Sequence, residues 1–232
     1  MKKHFFYLTY MFALAATLPA NADNVPWQNP QINEINREAM HAHFIPFINE
    51  DAALAQQALP DLQRFEINSK TERRVSLNGT WKFLFSKNND ACPADFHKPG
   101  YSTRKWKNIE VPGSWELQGF DAPIYTDVSY PFPCNPPYVP ADYNPVGAYV
   151  REFTVPEDWD GMDIFLDFEG VESAYYCWVN GELAGYSEDS RLPAHFNVTK
   201  LLKKGKTSWL SRYSDTVTDL TWKIRTTGNI AE

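Results

Sequence analysis

The sequence predicts an all-β chain, a jelly-roll β-sandwich preceded by an irregular arm. Three observations lead there. SLNGTWKFLFS, from Ser76, alternates apolar and polar residues with a period of two, which sets Leu77, Trp81, Phe83 and Phe85 on one half-buried face. SAYYCWVNGELAGYS reads as a hairpin, because Asn180-Gly181 supplies the two positive-φ residues that a type I′ turn needs. AYVREFTVP and DIFLDFEG are further short strands, and the Pro and Gly turns between them are those of a sandwich.

The elements fall in order along the chain. Lys2, Lys3 and His4 make a positive start, Phe5 to Leu18 is mostly apolar, and Ala20-Asn21-Ala22 offers a small-x-small cleavage pattern. Residues 1–22 therefore read as a secretory signal, with Asp23 as the mature start and export to the periplasm or beyond. A retained amino-terminal anchor is the alternative. The apolar run is short for a membrane span, and no later segment approaches one. Residues 23–61 form the arm, in which Ile35 to His43 is expected as a short helix and Phe44 to Phe47 as an extended piece. Residues 62–206 are the sandwich. Within it, Asp121 to Val146 is a long loop rich in Pro and aromatics, of the kind that serves a site or an interface.

Composition excludes several classes. The formal charge is −7, and loss of the signal removes two lysines more, which argues against nucleic acid, whose phosphates call for a basic face; no nucleic-acid partner is expected. About 210 mature residues can bury one real core. Cys92, Cys134 and Cys177 cannot all pair, and no CxxC or Cys/His spacing marks a metal site. Cys177, inside a strand-like run, reads as a small buried hydrophobe, and no essential disulfide is expected. Aromatics reach 15%, with eight Trp and twelve Tyr. Their faces can stack on sugars, but sandwich cores use them equally well.

NPQINEINREAMHA, LNGTWKF, VPGSWELQGFDAPIYTDVSYPF, NPPYVP, NPVGAYVREF and WVNGELAGYSEDSRLPAHFNVT follow one another along the chain. In that order they resemble the amino-terminal domain of family 2 glycoside hydrolases, with most likeness to the large β-galactosidases, from Trp27 to Lys206. The NP…NR…HA arm and the DSRLPA run distinguish that branch from the β-glucuronidases and β-mannosidases. The resemblance implies a galactose-binding-like jelly roll whose loops reach over a separate (β/α)8 barrel. Two barrel glutamates would act through a covalent galactosyl-enzyme in a retaining mechanism on terminal β-D-galactosides. No match to that barrel exists in this sequence. The chain is thus expected to be an amino-terminal fragment that supplies sugar-pocket loops, has no catalytic residue and is inactive alone. Its partners would be the β-galactoside and the rest of the enzyme chain or its subunits. A free-standing carbohydrate-binding module and an assembly fragment docking on a partner enzyme are the competing readings.

Two site residues carry over from the resemblance. Asp127, in IYTDVSYP, matches a loop position that touches bound galactose. Asp189, in YSEDSRLP, matches an aspartate that lines the sugar pocket and helps hold a monovalent cation, sodium, with magnesium a further candidate in the full-length enzyme. Carboxylates accept hydrogen bonds from hydroxyls and supply charge to hard cations. The structural alternatives are an Asx turn at Asp127 and an ion pair with Arg191 at Asp189. Glu188 and Asp189 are not a catalytic pair, because neighbours on an extended strand point to opposite faces. His195 is expected at the surface. The sequons at Asn78 and Asn197 mean little in a bacterial host.

After Lys206 the alternation stops, and residues 207–232 read as an out-of-frame tail. If Lys206 is AAA and the next codons are ACG TCC TGG CTG, restoring one A gives AAA AAC GTC CTG GCT. Permitted codons then continue as NVLAVEVFRYSDGSYLEDQDYWKYSGI, an alternating strand and an acidic, aromatic loop. A sandwich missing that strand would expose an apolar edge and pack loosely.

Overall fold

The computed structural model describes residues 25–42, 44–59, 73–123, 133, 135, 138, 140, 142–203, 206–214 and 222–227, the last two stretches as backbone. Two antiparallel sheets face each other. The strands, in chain order, are β1 (Glu34–Ile35), β2 (Arg74–Ser76), β3 (Gly79–Ser86), β4 (Lys107–Val111), β5 (Val146–Thr154), β6 (Asp163–Phe168), β7 (Ala174–Val179), β8 (Glu182–Glu188), β9 (Ala194–Asn197), β10 (Lys206–Ser214) and β11 (Trp222–Thr227). The larger sheet has the order β1-β8-β7-β10-β5-β3-β4, and the smaller β2-β11-β6-β9. The expected all-β sandwich is what forms.

Alternation explains the layers. Leu77, Trp81 and Phe83 face inward, where Tyr149, Leu166, Phe168, Tyr175, Cys177 and Phe196 from both sheets complete one buried core. Cys177 is fully buried in it, as its strand context predicts. Even-numbered residues of β5 point the other way. Val146 and Ala148 are buried there under Cys92, Phe96 and Trp106, which the β3–β4 connection lays over the outer face. The β7–β8 hairpin turns at Asn180 (φ 52°) and Gly181 (φ 89°), the two left-handed residues that its sequence requires. Asn180 Nδ2 also donates to the Leu201 carbonyl at 2.7 Å, tying the turn to the body.

The arm departs from expectation. Ile35 to His43 is not helical over its described residues: Glu34 and Ile35 pair with Ser187 and Tyr186, and Asn36 then takes a φ of 56° that no helix tolerates. Pairing to the open edge of β8 outweighs a weak local preference. The helix of the arm, α1, lies later, at Glu50–Gln57. Asn49 caps it by accepting from the Ala52 N–H at 2.9 Å, and Glu50 and Asp51 complement its positive end.

The carboxy-terminal stretch departs further. A missing late strand was the expectation, yet β10 lies between β7 and β5, and β11 between β2 and β6. The slot explains this. An extended gap flanked by two ladders of N–H and C=O groups is satisfied by any extended backbone, whatever its side chains. Backbone pairing therefore survives where side-chain alternation is poor.

Candidate functional site

The loop between β8 and β9 presents the first sequence-predicted residue. β8 ends at Glu188 and the chain swings at Asp189, whose φ of 118° is strained for a residue with a Cβ. The Asp189 carboxylate supports its own turn: Oδ1 accepts from the N–H of Arg191 at 2.9 Å and of Leu192 at 3.2 Å. The Asp189 N–H donates to the Ser173 carbonyl at 3.2 Å. Arg191 thus meets Asp189 through its backbone, and no ion pair joins their side chains among the described residues. The carboxylate is exposed, and Oδ2 has no partner among the described residues. Glu188 is engaged otherwise, accepting from the Tyr186 hydroxyl, so the two adjacent carboxylates do different work.

Asp127 lies outside the described residues, as does most of its loop. Where the loop's ends are described, they are anchored. Tyr143 donates its hydroxyl to Asp121 Oδ1 at 2.5 Å, and the Asn144 N–H donates to the Lys87 carbonyl at 3.0 Å.

His195 corrects an expectation. It is 8% exposed rather than a surface residue, and its Nδ1 lies 2.7 Å from Asp167 Oδ1, directly across the β6–β9 pairing. His41 from the arm stacks on its ring, with centroids 4.3 Å apart and planes 15° apart. The signal for this was Asp167 itself. A carboxylate interrupting the apolar run DIFLDFEG has to find a donor once buried. Arg37 was also passed over, although its Nη1 donates to Ser187 Oγ at 3.0 Å and to the Glu188 carbonyl at 3.3 Å.

Four tyrosines have their phenols held above the ordinary value. Desolvation, then the hydrogen bond to Asp121, pushes Tyr143 up to about 12. Burial raises Tyr149 and Tyr175, and burial with the Glu188 hydrogen bond raises Tyr186. Neutral phenol is thus favoured in the fold. That contribution is complete below the unfolded value of about 10 and is lost as the pH climbs past it. Alkaline titration followed in the near ultraviolet should show these tyrosines ionising late and together with loss of tertiary structure. Ionisation of all twelve at the ordinary value would contradict the burial described.

A pocket of about 480 Å³ is lined by Pro156, Asp160, Met162, Thr199 and Leu202 among others, and Asp189 is not on its wall. Among the described residues no cluster of three His, Cys, Asp or Glu could hold a metal. Asp189 Oδ2 suits a hard cation as one oxygen ligand of several.

Comparison with known proteins bears on this loop. Residues 75–227 match the family model of glycosyl hydrolases family 2, sugar binding domain. The chain is 41% identical over 194 residues to the β-galactosidase of Priestia megaterium (strain DSM 319 / IMG 1521), covering 82% of this chain and 18% of that protein. It is 42% identical over 183 residues to the β-galactosidase of Leuconostoc mesenteroides subsp. mesenteroides, covering 78% and 16%. For the β-galactosidase of Yersinia pseudotuberculosis serotype O:1b the identity is 38% over 196 residues, with 84% and 17% covered. The chain therefore spans less than a fifth of the length of these curated relatives. In fold it is similar to β-glucuronidase 2 of Bacteroides uniformis (TM-score 0.51, 19% identity, 68% of this chain and 18% of that one). A β-glycosidase of Bacteroides vulgatus is equally similar (TM-score 0.51, 16% identity, 66% and 20%). The family match runs past Lys206, further than the resemblance read from the motifs. With two thirds of its length under that match, the chain belongs to glycosyl hydrolase family 2, as a sugar binding domain.

Proposed function

We propose that this chain is the amino-terminal, sugar-pocket portion of an exported β-galactosidase-like retaining glycosidase acting on terminal β-D-galactosides. The observation that carries the reading is Asp189: an exposed carboxylate on a strained, self-capped turn of a family 2 sugar binding domain. Its free oxygen is placed to accept from a sugar hydroxyl, or to serve as one ligand of sodium. Asp127 would contribute from its own loop, and magnesium is a further candidate in the full-length enzyme. The acid/base and nucleophile come from the barrel, so the chain alone should not hydrolyse a chromogenic β-galactoside. Titration of the full chain with galactose, followed by saturation-transfer NMR, tests the site. Asp189→Ala is expected to weaken binding at least about tenfold, as loss of a charge-assisted hydrogen bond does. Equal binding by both proteins would overturn the reading.

Residues 207–232 as an out-of-frame tail are part of the same proposal. Register supports it: position 211 lies opposite Tyr149 and Cys177, and position 213 opposite Tyr175, all buried. The restored frame puts valine at both, where the present chain has Ser211 and Tyr213. The family match to residue 227 weighs on the other side. Resequencing the gene around codon 206 decides, and the absence of a compatible run of A there would end the idea.

An assembly role has one observation in its favour, the exposed Met40, Phe44, Ile48 and Leu54 of the arm. Recovery of activity on mixing with a partner enzyme lacking this region would support it.

A further inference from the structure

The geometry points to arm residues 33–41 as a strap that fixes both stems of the Asp189 loop, with Arg37 as the positioning residue. This inference rests on Asp189 being the sugar-pocket carboxylate. The loop leaves β8 at Glu188 and returns to β9 at Ala194–His195, and the arm grips it at both places.

At the outgoing stem, the Glu188 N–H donates to the Asn33 carbonyl at 2.9 Å. Arg37, with a side chain 12% exposed, donates through Nη1 to Ser187 Oγ and to the Glu188 carbonyl, and pairs through Nη2 with Glu34. Glu188, the residue that leads into Asp189, is thus held at its N–H and at its C=O, the latter in the peptide bond to Asp189. At the returning stem, the next arm residue acts. The Glu38 N–H donates to the His195 carbonyl at 2.9 Å, and His41 stacks on the His195 ring, which is itself braced by Asp167. Consecutive residues, Arg37 and Glu38, therefore clamp the two ends of one loop.

Among the described residues, the hydrogen bonds within the loop are those made by Asp189: its carboxylate accepts from the N–H of Arg191 and of Leu192, and its own N–H donates to the Ser173 carbonyl. The carboxylate bonds set the shape of the turn and the bond to Ser173 ties its first residue to the β6–β7 connection, but none of them reaches the returning stem. A strained turn persists only when its surroundings over-determine it, and the strap supplies that constraint. The task demands arginine. A planar fork can reach Glu34, Ser187 and a carbonyl at once, which a lysine ammonium on a flexible stem cannot hold in register.

The test uses the full chain, with hydrogen exchange of the 188–195 segment and galactose affinity as paired readouts. Arg37→Met keeps the apolar stem of the side chain and removes the fork. It is expected to raise exchange across 188–195 and to weaken galactose about tenfold, with exchange in β3 and β5 unchanged. Arg37→Lys should restore little of either. His41→Ala, at an exposed position, tests the other stem should the Arg37 variants fail to fold, and is expected to loosen 193–195. Unchanged loop exchange in Arg37→Met, or in His41→Ala if only that variant folds, would overturn the strap. Loosened exchange with unchanged affinity would overturn its positioning role. If Asp189→Ala leaves galactose binding intact, the sugar-pocket reading fails instead, while exchange still reports on the strap.

Discussion

Gly185→Ala is expected to cost at least about 3 kcal/mol of folding stability, at the upper end of overpacking substitutions. A methyl group built at Gly185 would lie 2.3 Å from both Cδ1 and Cε1 of Phe196 and 2.6 Å from the Ile35 carbonyl oxygen. Neither neighbour can retreat cheaply. Phe196 has no exposed surface and stands edge-on to Phe168 at 5.6 Å and to Tyr175 at 6.2 Å, so moving its ring disturbs two others. Ile35 is backbone, and pushing its carbonyl away pulls β1 from β8. Interiors packed at crystal-like density transmit such a shift rather than absorb it. Urea denaturation should show the midpoint falling with the slope unchanged. A midpoint equal to the wild type would mean that β1 does not lie where it is described.

Phe83→Ala is expected to cost about 3–5 kcal/mol, the range for removing a buried aromatic ring from a core that cannot collapse around the gap. Phe83 is 1% exposed on the central face of β3. Its ring centroid is 4.6 Å from Phe120, 4.7 Å from Tyr149 and 5.9 Å from Trp115. Gly147, opposite Phe85 on β5, has Phe83 and Trp115 packed so closely that a methyl there would sit under 3 Å from both rings. The cavity would be walled by large, interlocked rings with no small side chain able to move in. Phe83→Leu, which keeps most of the volume, should cost well under half as much. Equal losses for the two variants would show that ring geometry, rather than filled space, matters here.

The legibility of this chain follows from where its physics is local. β3 and the β7–β8 hairpin were readable because alternation and the Asn180-Gly181 turn are properties of a few consecutive residues. The arm was not, because β1 exists only through the free edge of β8, roughly 150 positions away. His195 was misread for the same reason: its burial depends on Asp167 across a strand pair and on His41 arriving from the arm. β10 and β11 were missed because their places are set by flanking backbone rather than by their own pattern. Asp189 came from a motif, and the shape of its turn depends on its carboxylate's bonds to Arg191 and Leu192, so motif and geometry coincide. Arg37 stands in the NR of the arm motif, but nothing local marked its role. Its partners become visible only once the arm is seen lying along the stem of the loop.

The order of strands has a consequence for synthesis on the ribosome. β10 joins the β1-β8-β7 half of one sheet to the β5-β3-β4 half, and β11 joins β2 to β6 in the other. The larger sheet cannot close until residue 214 has emerged, nor the smaller until residue 227, and before then the nascent polypeptide must carry hairpins with open edges. Vectorial folding therefore gains little here: the domain should condense in one late step, and the interval before it is when a holding chaperone would be needed most.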